Sequence, residues 1–188
     1  MDKLFYYSKS KDVNAGEGIN EVVSSECETF WGKNSYFVWV VSVPNKYEDL
    51  NKIKNWRQIL SNFHEYPFTY NNFRYNTIEH CFQSQKIKLV SNEIAHNFTI
   101  DSGHIIGQGG GEIARKNRKV VILNKKQLGV WDKNKDVIMK DICHKKYMQC
   151  AIYKSVLDLT MDAELWHIVV RSKYPLHTKY LEEIRDII

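Results

Sequence analysis

The sequence predicts an α+β fold dominated by helices, built as a single domain with a small β-sheet. Three observations carry this expectation. Tyr36 to Val43 alternates and branches like a strand, whereas Thr77 to Val90 and Lys133 to Leu159 carry apolar residues at helical spacing. The chain has 188 residues with no Pro/Gly/Ser-rich seam, which is one domain's worth. Hydrophobic residues make up 43% and aromatics 13%, enough for a packed core and too many for a disordered chain.

Taken in order, Leu4 to Ser8 reads as a short aromatic strand, and Gly16 and Gly18 mark a loop. Pro44 ends the Tyr36–Val43 strand. Tyr47 to Leu60 has helical spacing through Leu50, Ile53, Trp56 and Ile59. Ser61 to Tyr75 reads as an aromatic loop or hairpin with a turn at Asn71-Asn72. Thr77 is placed to cap the following helix. Val120 to Leu123 is a short helical or extended piece, Lys133 to Leu159 a helix with one break, and Leu181 to Ile188 a terminal helix. The sheet is expected to combine the N-terminal strand, the Tyr36–Val43 strand and a hairpin over 66–75.

Several function classes are excluded by what is missing. No run approaches ~18 apolar residues, so no membrane span is expected. Met1-Asp2-Lys3-Leu4-Phe5 lacks a secretory apolar core, which points to a cytoplasmic location, or a nuclear one in a eukaryote, and not to secretion. Cys27, Cys81, Cys143 and Cys150 form no CxxC pair and are too sparse for a disulfide framework. The seven histidines show no zinc-like pairing, and neither GxSxG nor HExxH occurs. No metal or cofactor is expected.

Charge is unevenly placed. The net charge is +5, but residues 115–154 hold twelve Lys/Arg against Asp132, Asp136 and Asp141, a net +9. Such a segment suits either a phosphate-bearing partner or a solvated helix face. It follows a glycine run, Gly103, Gly107, Gly109, Gly110 and Gly111, that reads either as an anion cradle or as a plain loop. On the helix after Thr77, residues Glu79, Gln83 and Lys86 fall within about 60° of one another at about 100° per residue. They are either the polar border of a cleft or an ordinary surface row.

Two longer blocks add a resemblance. Leu60-Ser-Asn-Phe-His-Glu-Tyr-Pro-Phe-Thr-Tyr-Asn, then Tyr75-Asn-Thr-Ile-Glu-His-Cys-Phe-Gln-Ser-Gln-Lys86, resembles the signature of the NADAR superfamily, the YbiA-like N-glycosidases. Their pattern is SNF, an aromatic hairpin, then S/T-x-E-H-x-F-Q-x-Q-K. Trp131, Lys135, Met139, Lys146 and Tyr147 match a second block, W-x3-K-x3-M-x6-K-[FY], and Leu181-Glu-Glu-Ile-Arg185 resembles the closing helix. The resemblance covers roughly residues 4–10 and 60–188. Residues about 12–58 are an insertion relative to the shortest members, available to wall or lid a pocket. An Asp-x-x-Trp-Gly block of those members has no equivalent, and Glu164, His167 or Arg171 stands in that area.

The resemblance implies hydrolysis of an N-glycosidic bond to an exocyclic amine. One implied substrate is ADP-ribose on guanine in DNA or RNA, reached single-stranded or flipped out of a duplex. The other is a ribosylamino-pyrimidine phosphate of riboflavin synthesis. A non-catalytic ADP-ribose or NAD-binding module is a further possibility. No obligate protein partner is evident. In this reading Glu79 is the general acid/base, and Lys86 either attacks C1 of the opened ribose or anchors its hydroxyls; alternatively the two form an ion pair that orders the pocket. Asn62, Phe63 and Gln83 shape the ribose pocket. Trp131 stacks a base, or else lies in the core, and Arg115, Arg118, Lys135 and Lys146 are candidates for the pyrophosphate.

Overall fold

A computed structural model describes residues 2–23, 30–31, 37–41, 44–169, 172 and 174–188. The fold is α+β and helix-rich with small sheets, as expected. The backbone gathers into two compact units, Met1–Ser61 with Ile152–Ile188, and Asn62–Ala151.

In the first unit, β1 (Lys3–Tyr6) pairs in parallel with a strand at Glu164–His167, Leu4 opposite Leu165. That strand is bordered on its other side by Leu176–His177, antiparallel. Leu4, Phe5 and Tyr6 are buried in succession, as strands covered on both faces require. The closing helix, Lys179–Arg185, buries Leu181 and Ile184. Its Glu182 carboxylate accepts the Leu165 N–H at 2.8 Å, so the helix is bonded to the sheet as well as packed. Helix Ala151–Leu159 buries Tyr153, Val156 and Leu157.

A second small sheet in this unit pairs β2 (Glu21–Val23) in parallel with β4 (Phe37–Val41), and β4 antiparallel with β3 (Phe30–Trp31). The expected strand at 36–43 is thus present over its described part. The expected helix at 47–60 is two pieces, a 3-10 helix at Pro44–Lys52 and α1 at Trp56–Ile59. Asn55, at φ 58° in the left-handed region, separates them, a conformation that Asn tolerates and that ends a helix. α1 exists to place Arg57. That side chain is 1% exposed and donates to both oxygens of Glu21, at 2.5 and 2.8 Å.

The second unit opens with a hairpin, β5 (Phe68–Tyr70) and β6 (Phe73–Tyr75), turned by Asn71 and Asn72 at φ 48° and 65°. Two successive positive φ values give the primed turn whose twist matches a two-stranded ribbon. Its edges are closed by side chains. Gln149 donates to the Thr69 carbonyl and accepts its N–H, and Asp101 accepts the Arg74 N–H. The hairpin therefore stands as its own sheet, and the single combined sheet expected from sequence divides into three among the described residues.

Helix α2 (Ile78–Ile87) starts where Thr77 accepts the His80 N–H. It buries Ile78, Cys81 and Ile87, each worth roughly 1.5–3 kcal/mol for an apolar side chain of that size. Short helices α3 (Asn92–His96), α4 (Ile105–Gln108) and α5 (Gly111–Lys116) follow. Ile87, Ala95, Phe98, Ile106 and Ala114 form their shared core. α6 (Lys125–Gln149) opens with a reciprocal cap between Asn124 and Gln127. The break expected in the long basic helix falls at Cys150, which ends α6. Cys81, Cys143 and Cys150 are buried free thiols, and Cys27 lies outside the described residues.

Candidate functional site

The second unit brings five of the expected residues together on α2, α5 and the turn after α5. Glu79 sits in the first turn of α2, where its backbone N–H is held by the Asn62 carbonyl at 3.1 Å. The Ser-Asn-Phe segment is thereby tied to the helix start. Glu79 is 9% exposed and accepts a hydrogen bond from Gln83 Nε2 at 2.9 Å. Burial pushes its carboxyl above the ordinary range, against the opposing pull of Gln83, Arg115, Arg118 and Lys86. A carboxyl in this balance holds its proton longer than a solvated one and can donate it.

Gln83 is buried, and its Oε1 has no partner among the described residues. Its amide is oriented by Glu79 at one end only. Lys86, two turns along the same face, is half-buried. Burial lowers its pKa, repulsion from Arg118 and Lys119 adds to this, and Glu79 and Asp132 oppose it. Its Nζ reaches the Arg118 carbonyl at 3.5 Å. The polar stripe is therefore a half-sealed border in which each group perturbs the others, and not a solvated row. Arg115 and Arg118 are exposed, with Arg118 Nη1 donating to the Arg115 carbonyl. Neither forms an ion pair among the described residues.

His80, next to Glu79, faces inward and is fully buried. Its Nε2 donates to the Ile106 carbonyl at 2.8 Å, because a carbonyl can only accept. Nδ1 then accepts the Thr77 hydroxyl at 2.8 Å. Burial lowers its pKa, so the neutral ring is a structural bridge from α2 to α4.

Packing decides three expectations, and at Trp131 it selects the core alternative. Lys146 is fully buried and donates to the His64 carbonyl at 2.9 Å, so it is not placed to meet a pyrophosphate. Trp131 is 6% exposed and packs on Phe82 with ring centroids 4.8 Å apart, so its faces are not open to a base. Gly103, at φ 67° with open space around it, is a turn residue, but at Gly107 and Gly111 the glycine run is neither a phosphate cradle nor a plain loop. A Cβ on Gly107 would lie 2.0 Å from the Thr99 carbonyl oxygen, and one on Gly111 would lie 2.7 Å from the Phe63 ring. These glycines are close-packing positions within and beside α4 and α5.

The remaining expected residues fall as follows. Phe63 packs on Gly111. Asn62 directs its side-chain amide to Met139 Sδ at 3.6 Å, and its backbone is what reaches Glu79. Lys135 is paired with Asp132 at 3.0 Å on the surface of α6. In the first unit, Glu164 is paired with Lys3 at 3.2 Å and accepts Trp166 Nε1–H at 2.9 Å, and His167 stacks on Tyr6. Arg171 lies outside the described residues. Lys119, part of the basic Arg115–Lys119 cluster considered for the pyrophosphate, and Asp132 are electrostatic neighbours of Lys86 that sequence spacing does not reveal. The +9 segment was the available signal for the first.

Two cavities, of about 270 and 170 Å3, lie elsewhere, and Glu79 lines neither. Among the described residues, no group of three or more His, Cys, Asp or Glu is gathered to hold a metal ion.

By sequence, the chain matches no family model and no curated protein. Its architecture, helix-rich α+β with small sheets, does match a solved structure. The NMR structure of the E. coli protein YbiA is similar, with a TM-score of 0.55 and 20% identity, over 69% of this chain and 77% of that one. This likeness establishes the fold.

Proposed function

We propose that the protein is an N-glycosidase that hydrolyses the bond between a sugar and an exocyclic amine, acting on ADP-ribose attached to guanine in nucleic acid. One observation carries this reading. A buried carboxyl held toward its protonated form, Glu79, shares a helix face with a lysine held toward its neutral form, Lys86, within electrostatic reach of the exposed guanidinium groups of Arg115 and Arg118.

Protonated Glu79 donates to the exocyclic nitrogen as the C1–N bond breaks and its electron pair passes to nitrogen. Water adds to C1 and returns a proton to the Glu79 carboxylate. In a covalent variant the neutral Lys86 amine attacks C1 of the ring-opened imine, the base leaves as its free amine, and water hydrolyses the lysine imine. Gln83 orients Glu79 through its Nε2. Arg115 and Arg118 take the pyrophosphate oxygens.

The same two cations suit a single phosphate, which keeps a ribosylamino-pyrimidine phosphate as the competing substrate. Mass spectrometry of a guanine-ADP-ribosylated oligonucleotide and of that pyrimidine, each incubated with the protein, separates the two. Release of ADP-ribose with regenerated guanine is expected. Cleavage of only the pyrimidine makes the protein a metabolite hydrolase. Binding of ADP-ribose without cleavage of either makes it a reader. Borohydride trapping tests the covalent route, which fails if Lys86→Ala turns over at the full rate.

A further inference from the structure

The first unit holds the cavity of about 270 Å3, and nothing in the glycosidase reading uses it. Arg57 lines it together with Tyr7, Ser10, Lys11, Glu17 and Ile19.

Arg57 is the obvious anion anchor, but it has no donor left. Its Nε donates to the Val13 carbonyl, Nη1 to the Phe5 carbonyl and Glu21, and Nη2 to the Asn14 carbonyl and Glu21. All five N–H groups are taken. The same network fixes the loop that borders the cavity. Glu21 Oε2 accepts from the N–H groups of Gly16 and Gly18, and a Cβ on Gly18 would lie 2.7 Å from the Arg57 guanidinium. The cavity is therefore formed before any ligand arrives, which spares the ligand an ordering cost.

Recognition falls to the remaining groups. Lys11 is exposed, with no partner for its ammonium among the described residues. Glu17 is exposed and accepts one hydrogen bond, from the Asn14 N–H on Oε2, which leaves Oε1 open. Ser10 Oγ accepts the Tyr7 N–H and retains its own proton to donate. The Tyr7 ring and Ile19, 56% exposed, supply apolar surface. A carboxylate and an ammonium in one lining disfavour a simple anion or cation. They suit a neutral planar ring with adjacent N–H donors on one edge and a carbonyl or ring-nitrogen acceptor on the other. The volume lies at the small end of ligand pockets and fits one ring system, not a dinucleotide.

We propose that this cavity binds a single purine base of the guanine type, with Glu17 accepting from its amide and amino N–H groups and Lys11 donating to its carbonyl oxygen. Adenine presents an acceptor where guanine presents its ring N–H and lacks the carbonyl, so it fits less well. The argument rests on the first unit alone.

The test is isothermal titration of the whole protein with guanosine, adenosine, uridine and inorganic phosphate. Guanosine should bind, adenosine and uridine about tenfold or more weakly, and phosphate should not compete. Glu17→Gln and Lys11→Met, both exposed, should each weaken guanosine about tenfold with the melting temperature unchanged. Absence of guanosine binding, equal binding of guanosine and adenosine, competition by phosphate, or wild-type affinity in both variants would each overturn the proposal.

Discussion

Glu21→Gln is the sharpest test of the physical account of the first unit. The Glu21 carboxylate accepts on Oε1 from the Phe5 N–H and Arg57, and on Oε2 from Gly16, Gly18 and Arg57. The amide keeps the shape but turns one of those oxygens into a donor. The smaller loss, at the Oε1 position, removes two bonds to the charged carboxylate, each worth about 1.5–3 kcal/mol. It also leaves a guanidinium that is 1% exposed without its counter-charge. Together these give about 3–5 kcal/mol, the usual range for breaking a buried pair. For a chain of 188 residues this lowers the melting temperature by roughly 6–20 °C. Thermal unfolding followed by circular dichroism reads it directly. The double variant Glu21→Gln/Arg57→Met should recover part of the loss, since it removes the stranded charge. A shift under about 2 °C in the single variant, or a double variant as unstable as the sum of the singles, would refute the reasoning.

Further outcomes follow from the second unit. Burial lowers the Lys146 pKa from 10.5 to about 7, so between those values the unfolded chain binds the extra proton and stability rises with pH, on the order of 1 kcal/mol per unit. Urea titrations at pH 7 and 9 should show that rise in the wild type and a flatter response in Lys146→Met. Gly107→Ala drives a Cβ against the Thr99 carbonyl and should cost about 1–3 kcal/mol or more, whereas Gly129→Ala, with open space around it in α6, should stabilise by up to ~1 kcal/mol in the same melts. At Asn72, φ 65°, a valine should cost about 1–2 kcal/mol and a glycine almost nothing, by chemical denaturation.

The parts of the fold legible in the sequence are those set by neighbours along the chain. Thr77 capping α2, the Asn71-Asn72 turn and the amphipathic stripe of α2 all depend on contacts within a few residues. What escaped is long-range. Glu164–His167 pairs with β1 across the length of the chain, and Glu-Leu-Trp-His carries no strand alternation to announce it. The Glu21–Arg57 pair joins the start of a strand to a helix 36 residues away. The glycine run shows how one composition serves two ends, since open loops and close-packed helices both select glycine, and only the Thr99 carbonyl and the Phe63 ring decide between them. At the candidate site, spacing put Glu79, Gln83 and Lys86 on one face, but their burial and the inward turn of Lys146 and Trp131 required the packing of α2, α5 and α6.

The central claim is that Glu79 supplies the proton for C–N cleavage. The direct measurement is single-turnover release of ADP-ribose from a guanine-ADP-ribosylated oligonucleotide, by wild type and by Glu79→Gln with its melting temperature confirmed unchanged. Wild type should regenerate guanine, its rate falling as pH rises through the elevated Glu79 pKa. The variant should be slower by about 10²-fold or more and lack that alkaline limb. No release by wild type, or a folded Glu79→Gln protein with the wild-type rate and pH profile, would contradict the account.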